Sequence, residues 1–580
     1  MEAWKTSYEA RTDLDKYGDN AIGLFALALK FGIDDLETVA AESVTDGSGD
    51  KKCDIIYVNK DDGIAVISQC YFSKTAKDEA PANKASDLNT AIGWLLQRPL
   101  KDLPERIYSA AQEVRDGIRA GNLKEIYIWY VHNLSESENV KQELITVEAT
   151  AKAAIETNFA GLKVTVKCLE VGNGTMNDWY AETQTPILVN EKFDINIEKG
   201  FDENGPSWSA FITSIPATFL HRTYKKYRTK LFSANVRDYL GSRATDSNIN
   251  NNIKKTIESD HSNFWVYNNG LTILVNNYEY DDASNVLKIE GISIVNGAQT
   301  TGAVGSLSKL PAKEARIPAR FVKTKEKDIV LNIIRYNNSQ NKVTASDFRS
   351  TDKIQKRLKE QISKIPNAEY EGGRRGGFGD AIARRPNLLS SYTAGQALAA
   401  FHGDTIIAYN QKSNIWVDDK IYSKYFNEHT SGPHLVCAYG LLRAVENKKI
   451  ELVNKSKKSE SSLTSNEENQ LSFFRKRGSI YLYVSAIAAC LETFVGKKIP
   501  NKFRISFSDK TSPKKSQELW EKVVEVNLPL CNQLEVALTD GLKSNEKVNK
   551  AIQTFQGLVQ VTIAANKTIY DDFSKKIVTS

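Results

Sequence analysis

The sequence predicts a multidomain protein of mixed α/β and α+β class, and three observations support this. The chain has 580 residues, too many for one ordinary domain. Helical and strand-like apolar patterns alternate in its first part, whereas the spacing after about residue 390 is mostly helical. We therefore predict an α/β domain at 1–195, an α+β domain at 196–390 and a helical region at 391–580.

The bulk composition limits the compartment and gives little about function. Hydrophobic residues make up 41% and charged residues 26%, and no run approaches the roughly 18 apolar residues of a membrane span. The N-terminus, "MEAWKTSYEARTDLDK", lacks the apolar core of a signal peptide. Six scattered cysteines without a CxxC argue against zinc and disulfides and favour a reducing cytoplasm. The net charge of +6 is too small to predict a nucleic-acid partner by itself.

The first elements of the α/β domain follow one another clearly. A helical pattern over 20–43 ends at "TDGSGD". Two apolar runs, "CDIIYV" and "GIAVISQCYF", are joined by the turn "NKDDG" and predict a β-hairpin. Two helical patterns precede "KEIYIWYVHN", which predicts a buried strand because of its aromatic and β-branched residues. A further helix and strand complete the domain.

The hairpin carries residues that suit phosphodiester hydrolysis. Such a site needs oxygen ligands for Mg²⁺ and usually a lysine beside the phosphate. Residues two apart on a strand share a face, so Gln69 and Tyr71 should both face Asp54. An acid from the preceding helix, Glu37 or Glu42, would complete the set. An ordinary structural hairpin accounts for the same composition, and the residues alone leave both interpretations open.

This arrangement resembles the PD-(D/E)xK superfamily of restriction-endonuclease-like nucleases, in the Gln-x-Lys form of Mrr-type enzymes. The resemblance covers the glycine-rich "DGSGDKKCD", the strand after Asp54 and the terminal "ISQC". It implies a nuclease domain that uses Mg²⁺, with Mn²⁺ as a substitute. Tyr71 stands where the family has lysine, and Lys74, or Lys77 beyond it, is expected to replace that charge. The implied metal ligands are Glu42 and Asp54, and the implied catalytic residues are Asp54, Gln69, Tyr71 and Lys74.

Asparagine recurs at the element edges of the middle domain, where we predict the strands "FWVYNNGLTILV", "VLKIEGISIVNG" and "RIPARFVKT". Caps and tight turns are one explanation. The corner at Asn296–Gly297 would also expose backbone N–H groups at a helix N-terminus, which suits an anionic ligand. The candidate ligand-binding residues are Asn268, Asn269, Gly270, Asn296, Gly297, Gln299, Thr300, Asn338 and Gln340.

The motifs "NVRDYLG", "NNG", "IVNGAQT" and "NNSQN" occur in the order found in the AIPR family, the abortive-infection phage-resistance proteins of bacteria. The resemblance runs from about 207 to 377. It implies a phage-defence protein whose nuclease-like domain is controlled by a domain that senses a phage-derived or nucleotide trigger. More weakly, "IVNGAQTTGA" resembles the phosphate-holding corner of ParB/sulfiredoxin-like domains. Because the His-Arg pair of that corner is missing, this resemblance implies binding rather than turnover.

Two basic clusters are candidates for contact with DNA or RNA. They are "HRTYKKYRTK", where lysines and arginines alternate with tyrosines, and the glycine-rich "EGGRRGGFGDAIARR". A solvated helix face and an exposed loop explain them equally well. The candidate nucleic-acid-binding residues are Arg222, Lys225, Lys226, Arg228, Arg374 and Arg375.

The C-terminal region and the missing lysine keep alternatives open. The segment "YLYVSAIAACLETF" is apolar enough for either a core or a homodimer interface. Tyr71 allows a second function, a catalytically inactive pseudo-nuclease that binds nucleic acid, nucleotide or protein in phage defence. The sequence predicts no membrane partner.

Overall fold

The chain folds into two compact units that do not follow sequence order. One contains Met1–Met176, Thr344–Gly376 and Asp380–Ser580, and the other contains Asn177–Val343 and Gly377–Gly379. The N-terminal α/β segment thus shares a unit with the C-terminal helices, and the predicted domain boundaries stay predictions. The computed structural model describes residues 3–579 apart from 34, 46, 48, 76, 185–186, 188, 228–230, 233–252, 254, 308–313, 327–328, 331–332, 334–348, 350–351, 372–386, 459–462 and 509.

The N-terminal segment is a sheet flanked by helices, which confirms the predicted α/β class. The strands are β1 (Ile55–Asn59), β2 (Ile64–Tyr71), β3 (Glu125–His132) and β4 (Thr165–Val171). The helices are α1 (Ala3–Glu9), α2 (Asn20–Phe31), α3 (Leu36–Ser43), α4 (Ala82–Ser86), α5 (Leu88–Ile92), α6 (Glu105–Arg119), α7 (Glu138–Asn158) and α8 (Asn173–Gln184). Short 3₁₀ turns lie at Thr12–Tyr17 and Leu100–Asp102, and a π-helical turn at Gly93–Gln97 continues α5.

The strand order is β1–β2–β3–β4. The predicted hairpin is confirmed, because β1 and β2 pair antiparallel with Ile55 opposite Ser68. Strands β2, β3 and β4 are parallel. Every residue of β3 is buried, as its apolar run predicts.

Helix α2 covers one face of this sheet at very close range. A Cβ on Gly23 would lie 2.5 Å from the Cys70 sulfur, so only glycine allows this approach. At the end of the helix, Phe31 stacks on Trp129 with a centroid distance of 5.7 Å. The other face, which includes Ile67 and Ile128, packs against α4–α7. The sheet is therefore held rigidly on both sides.

The second unit is built around a mixed sheet, as the α+β prediction requires. Its strands are β5 (Val189–Asn196), β6 (Gly200–Gly205), β7 (Trp208–Pro216), β8 (Leu271–Leu274), β9 (Asn277–Asp281), β10 (Val286–Asn296) and β11 (Arg316–Thr324). Its helices are α9 (Ala217–Tyr227), α10 (Phe264–Tyr267) and α11 (Ala298–Gly305). The order is β5–β10–β8–β11–β7–β6, with β9 on β10, and β8 and β11 are parallel.

One predicted strand of this unit is partly wrong. The run "FWVY", expected to open the strand before "NNG", forms the helical turn α10, and β8 begins only at Leu271. The aromatic and β-branched residues favour a strand locally, but tertiary contacts decide otherwise. The Trp265 indole N–H donates to the Ser214 hydroxyl over 2.7 Å, which the helical turn permits.

The rest of the chain is mostly helical, as predicted. The helices are α12 (Lys353–Ile362), α13 (Ser391–Phe401), α14 (Thr405–Asn410), α15 (Asn414–Val417), α16 (Asp419–Tyr425), α17 (Gly432–Lys458), α18 (Ser465–Arg475), α19 (Ser479–Ala489), α20 (Leu491–Val495), α21 (Pro513–Asn527), α22 (Asn545–Val561) and α23 (Ile563–Ser574). The 3₁₀ turns Lys502–Arg504 and Leu528–Ala537 and the short strands β12 (Glu369–Tyr370) and β13 (Leu388–Leu389) complete it.

The apolar segment in α19 belongs to the core of this helical region. Its residues Ser479–Ala488 are all buried within the chain itself. A homodimer through the helical region stays a prediction, and it would have to use other residues. Among the described helices, none is both long and apolar enough to cross a membrane.

A buried charge cluster joins the helical region to the N-terminal sheet within the first unit. The Arg477 guanidinium donates to the Ile56 carbonyl on β1 over 2.6 Å. Its Nε lies 3.6 Å from the Glu113 carboxylate, which also binds Lys60 and the Tyr409 hydroxyl at 2.8 Å each. These contacts fix strand β1 against the C-terminal helices.

A pair of histidines is enclosed in the helical core. His402 Nε2 lies 3.0 Å from His434 Nε2, and His434 Nδ1 lies 2.7 Å from the Ile505 carbonyl. Since Nδ1 of His434 must donate to that carbonyl, its Nε2 accepts from His402, and both rings are neutral. Burial lowers the pKa of His402 to about 2 and that of His434 to about 4.

This pair predicts a loss of stability below about pH 6.5. In that range the unfolded chain binds protons that the folded chain does not, so the free energy of unfolding falls. At pH 5.5 the loss is roughly 1.4 kcal/mol per histidine, about 3 kcal/mol together, relative to pH 7.5. Between pH 7.5 and pH 5.5, His402→Gln, which keeps a donor to His434, is expected to lose about 1.4 kcal/mol less stability than the wild type in thermal unfolding. The exposed His429, changed to Gln, is the control. A His402→Gln profile identical to the wild type would contradict this assignment.

Candidate functional site

The hairpin places Asp54 beside the end of strand β2. The Asp54 N–H donates to the Ser68 carbonyl over 2.9 Å, so Asp54 lies next to the stretch of β2 that contains Gln69. The Asp54 carboxylate accepts a 2.6 Å hydrogen bond from the Cys70 N–H. Gln69 is only 4% exposed, and its buried Oε1 finds no hydrogen-bond partner among the described residues. A buried carbonyl oxygen without a donor is costly, which suggests that it serves a ligand.

A strained loop leads into Asp54. Gly47, Gly49, Lys51 and Lys52 all have positive φ, with 56° and 71° at the two lysines. The Asp50 carboxylate accepts from the N–H groups of Gly47 and Lys52 and so holds the loop in this shape. Left-handed backbone at non-glycine residues costs of order 1–3 kcal/mol each and is concentrated at functional sites.

Lys77, rather than Lys74, lies at Tyr71. The Lys77 ammonium donates to the Tyr71 hydroxyl over 2.9 Å, whereas Lys74 is exposed in the turn. The Lys84 ammonium lies 5.4 Å from the centre of the same ring. Hydrogen bonds from Lys77 and Ser73 lower the pKa of Tyr71. Positive charge therefore reaches the position where the nuclease motif has its lysine, although the role predicted for Lys74 itself stays untested.

Glu42 and Glu37 are held by the helical region. Both oxygens of the Glu42 carboxylate are buried without a hydrogen-bond partner among the described residues. Burial lowers the pKa of Lys449 on α17 to about 8, and the nearby charge of Glu42 opposes that shift. Glu37 pairs with Lys16 at 2.6 Å and with Arg443 at 3.9 Å. The structure thus connects both acids with α17, and the metal-binding role of Glu42 stays a prediction.

A buried ionic network surrounds Arg443, and the sequence did not predict it. On α17, Arg443 binds the carboxylates of Asp35, just before α3, and of Glu446, the latter at 2.6 Å. Thr38 of α3 donates to Glu446 over 2.8 Å. Burial would lower the pKa of Arg443, but Asp35, Tyr439 and Glu446 raise it well above its ordinary value. The partners lie 408 residues apart, so no sequence spacing could reveal the pairing.

The oxygen atoms of the hairpin fit a divalent cation only in a sparse form. Within the described part of the chain, no group of three or more His, Cys, Asp and Glu side chains is placed to hold a metal. Asp54 supplies a carboxylate at the Cys70 N–H, and the preceding residue of β2, Gln69, supplies a buried carbonyl oxygen. Mg²⁺ is commonly held by one or two protein oxygens and completed by water and substrate phosphate. The residues fit that type of site.

The asparagine–glycine motifs of the second unit meet at one corner. The Asn268 amide donates to the Thr300 hydroxyl over 2.9 Å, and its oxygen accepts from the Gly270 N–H at 2.9 Å. At Gly297, φ is 94°, and an added Cβ would lie 2.2 Å from Leu271 Cδ2 and 2.9 Å from the Gly270 carbonyl oxygen. Gly297 is the N-cap of α11, after Asn296 at the end of β10. Two motifs distant in sequence thus form one polar corner.

The remaining ligand-binding and nucleic-acid-binding candidates are only partly described. Asn269 is exposed beside the corner, and Gln299 is half-buried on α11. On α9, Arg222, Lys225 and Lys226 are exposed, and Lys226 pairs with Glu191 at 2.9 Å. The candidates that lie outside the described residues are Arg228, Asn338, Gln340, Arg374 and Arg375. The functions predicted for all of these residues stay predictions.

Comparison with known families gives one match. The family model described as AIPR protein matches residues 232–567, which is 336 of the 580 residues. The match begins in the middle domain and covers most of the helical region, so it extends well beyond residue 377, where the sequence motifs end. The hairpin lies outside it. No curated protein and no solved structure matches the chain.

The corner predicts a strong effect of one added methyl group. Gly297→Ala is expected to lower the free energy of unfolding by about 2–4 kcal/mol, because it adds left-handed strain and a clash with Leu271. Gly121→Ala is the matched control, since φ is 69° there but nothing lies within 4 Å of the new Cβ. It should cost about 1 kcal/mol. Equal shifts of the two variants in thermal unfolding would contradict the packing described here.

Proposed function

This chain belongs to the AIPR family, and we propose that it is a bacterial abortive-infection protein that cleaves phosphodiester bonds at the Asp54 hairpin. The observation that supports this most is the Lys77 ammonium at Tyr71, on the strand that carries Gln69. A nuclease site needs oxygen ligands beside a positive charge, and this arrangement contains both. The family model does not cover the hairpin, so the activity depends on the site alone.

Each side chain has a distinct role in this proposal. Asp54 and the Gln69 carbonyl oxygen hold Mg²⁺, for which Mn²⁺ can substitute. The ion, when bound, supplies the charge that polarises the scissile phosphate. Lys77 offsets negative charge on the phosphate, as the motif lysine does in related sites. Tyr71 accepts from Lys77 through its oxygen, which places its hydroxyl group beside this positive charge.

The corner of the second unit supplies the sensing part of the proposal. The N-terminus of α11, beside Thr300 and Asn268, suits an anionic trigger such as a nucleotide or another phage-derived phosphate. Arg222 and Lys225, both exposed on α9, are proposed to contact nucleic acid. Binding of the trigger would then release cleavage during infection.

One observation favours a second candidate, a pseudo-nuclease that only binds. Within the described residues, no group of three or more acids, histidines or cysteines is placed to hold a metal, and the charge of Glu42 lies near Lys449 on α17. Active sites of this type usually have a second carboxylate. In this second candidate function, the hairpin binds nucleic acid without cleaving it.

The cleavage assay separates Lys77 from Lys74. Purified protein is incubated with single- and double-stranded DNA and RNA in Mg²⁺ or Mn²⁺, with and without the candidate trigger. Asp54→Ala and EDTA should abolish cleavage, and Lys77→Ala should lower its rate about 10- to 100-fold because phosphate charge is then uncompensated. Lys74→Ala is the matched control and should stay within about twofold. Cleavage that survives Asp54→Ala, or that depends on Lys74 rather than Lys77, would refute this assignment.

Tyr71→Lys distinguishes the two candidates. It restores the motif lysine beside Lys77 and Lys84, whose charges should lower the pKa of the new ammonium, and a bound phosphate would attract it. If the wild type is silent, new or strongly raised metal-dependent cleavage in this variant indicates that the remaining site is intact. Continued silence with retained, salt-sensitive binding supports the pseudo-nuclease.

A further inference from the structure

Cations and aromatic rings line the approach to Asp54 in one continuous series. They come from three parts of the chain: the strained loop, the segment after β2 and the helical turns of α4 and α5. None of these residues belongs to the basic clusters at 222–228 or 374–375. We call this set the lysine–aromatic surface, and it consists of Lys51, Tyr71, Lys77, Lys84, Trp94 and Arg98.

Trp94 forms one end of the surface. The Lys51 ammonium lies 4.7 Å from its ring centre, and the Arg98 guanidinium lies 4.3 Å from it. In such cation–π contacts, the aromatic ring attracts the positive charge and so favours one position of a long, flexible side chain. The two charges are therefore fixed beside a half-buried indole instead of moving freely in solvent.

Tyr71 forms the other end, next to the proposed catalytic pair. Lys77 and Lys84 lie 5.6 and 5.4 Å from its ring centre. The two ends are connected by an ion pair of 2.9 Å between Lys52, which follows Lys51, and Asp87, which caps α4 and α5. The Lys52–Asp87 pair thus connects the two ends of the surface, and the charge of Asp54 acts on Lys52.

The backbone is strained at the point where the surface meets the site. Lys51 and Lys52 both adopt the left-handed region, which glycine or asparagine would occupy at less cost. Asp50 stabilises this conformation through the Lys52 N–H at 2.9 Å. Specific contacts therefore maintain the strained backbone. The loop that leads into Asp54 carries both lysine side chains.

The six residues of the lysine–aromatic surface include four cations and no acid. Lys51, Lys84 and Arg98 contact rings, and Lys77 contacts the Tyr71 hydroxyl. Among the nearby acids, Asp50 is turned to backbone amides and Asp87 is paired with Lys52. The exposed Asp78 and Glu79 follow Lys77 and limit the surface on that side. An extended anion is the complementary partner.

We propose that the lysine–aromatic surface binds the backbone of a nucleic-acid strand and guides it to Asp54. Spaced cations neutralise successive phosphates, and the rings offer faces for unpaired bases. The inference rests on the proposed function, because the surface ends at the proposed catalytic hairpin. It names the substrate class as a polynucleotide rather than a small phosphate ester.

The test measures binding separately from cleavage. Full-length protein is titrated against labelled single-stranded DNA, single-stranded RNA and duplex DNA in EDTA, over a range of salt concentrations. The variant Lys51→Asn/Lys84→Gln/Arg98→Gln removes three charges, and asparagine tolerates the left-handed backbone of Lys51. The matched control, Lys515→Gln/Lys547→Gln/Lys575→Gln, removes three exposed lysines that are each paired with an acid at about 3 Å.

We expect the surface variant to bind the preferred polymer at least about 10-fold more weakly, with the salt slope reduced by about three. The control should bind like the wild type, and both should unfold at the wild-type temperature. Equal affinity and salt slope in wild type and surface variant would overturn the proposal, as would a wild type that binds none of the three polymers at low salt.

The failure of this inference is distinguishable from that of the proposed function. Binding that is lost in the surface variant, without any cleavage by the wild type, overturns the nuclease activity and keeps the surface. Cleavage that depends on Asp54, with binding unchanged in the surface variant, keeps the activity and overturns the surface. The polymer bound most tightly decides between DNA and RNA and between single and double strands.

Discussion

The Arg443 network is the interaction on which the arrangement of the first unit depends. One guanidinium on α17 binds Asp35 and Glu446, and α3, which follows Asp35, leads through a short loop to Asp54. Burying these charges has a large desolvation cost, and burial raises the pKa of Glu446 to about 7 in spite of Arg443. Removing one partner of such a pair typically costs about 3–5 kcal/mol, since an uncompensated charge remains. The N-terminal site is therefore energetically connected with the helices of the AIPR region.

Direct contacts explain why the N-terminal segment and the C-terminal helices belong to one compact unit. Contacts such as Thr393 to Asp35, at 2.7 Å, and Arg477 to Ile56 join residues that are hundreds of positions apart. The family model covers the helical side of these contacts and stops short of the sheet side. Residues of the helical region thus contact strand β1 and the residue before α3 directly.

The spacing of apolar residues along the chain correctly predicted those elements that depend mainly on local sequence. The hairpin, the buried strand β3 and the helical C-terminal region follow from period-two and period-three-to-four apolar spacing, and all are present. The strand predicted for "FWVY" was wrong. The segment forms a helical turn in which Trp265 donates to Ser214, a contact that composition does not encode. The sequence predicted that Asp54 and Gln69 belong to one hairpin, but not that the Asp54 carboxylate accepts from the Cys70 N–H. Lys77 could not be preferred to Lys74, since the path of an exposed loop depends on anchors such as Asn133, which binds the Ser73 N–H and carbonyl.

Arg477 has a consequence for how the N-terminal sheet behaves outside its native context. Strand β1 lies at the end of the strand order, and the guanidinium occupies one of its outward carbonyls. Open strand edges are templates for pairing with other chains, and proteins commonly cover or charge them. A fragment that ends before the helical region would keep the bridge between Val44 and Ile55 but lose the Arg477 contact, and we expect it to self-associate more readily by edge-to-edge β-pairing. The helical region thus helps to protect this strand edge from pairing with other chains.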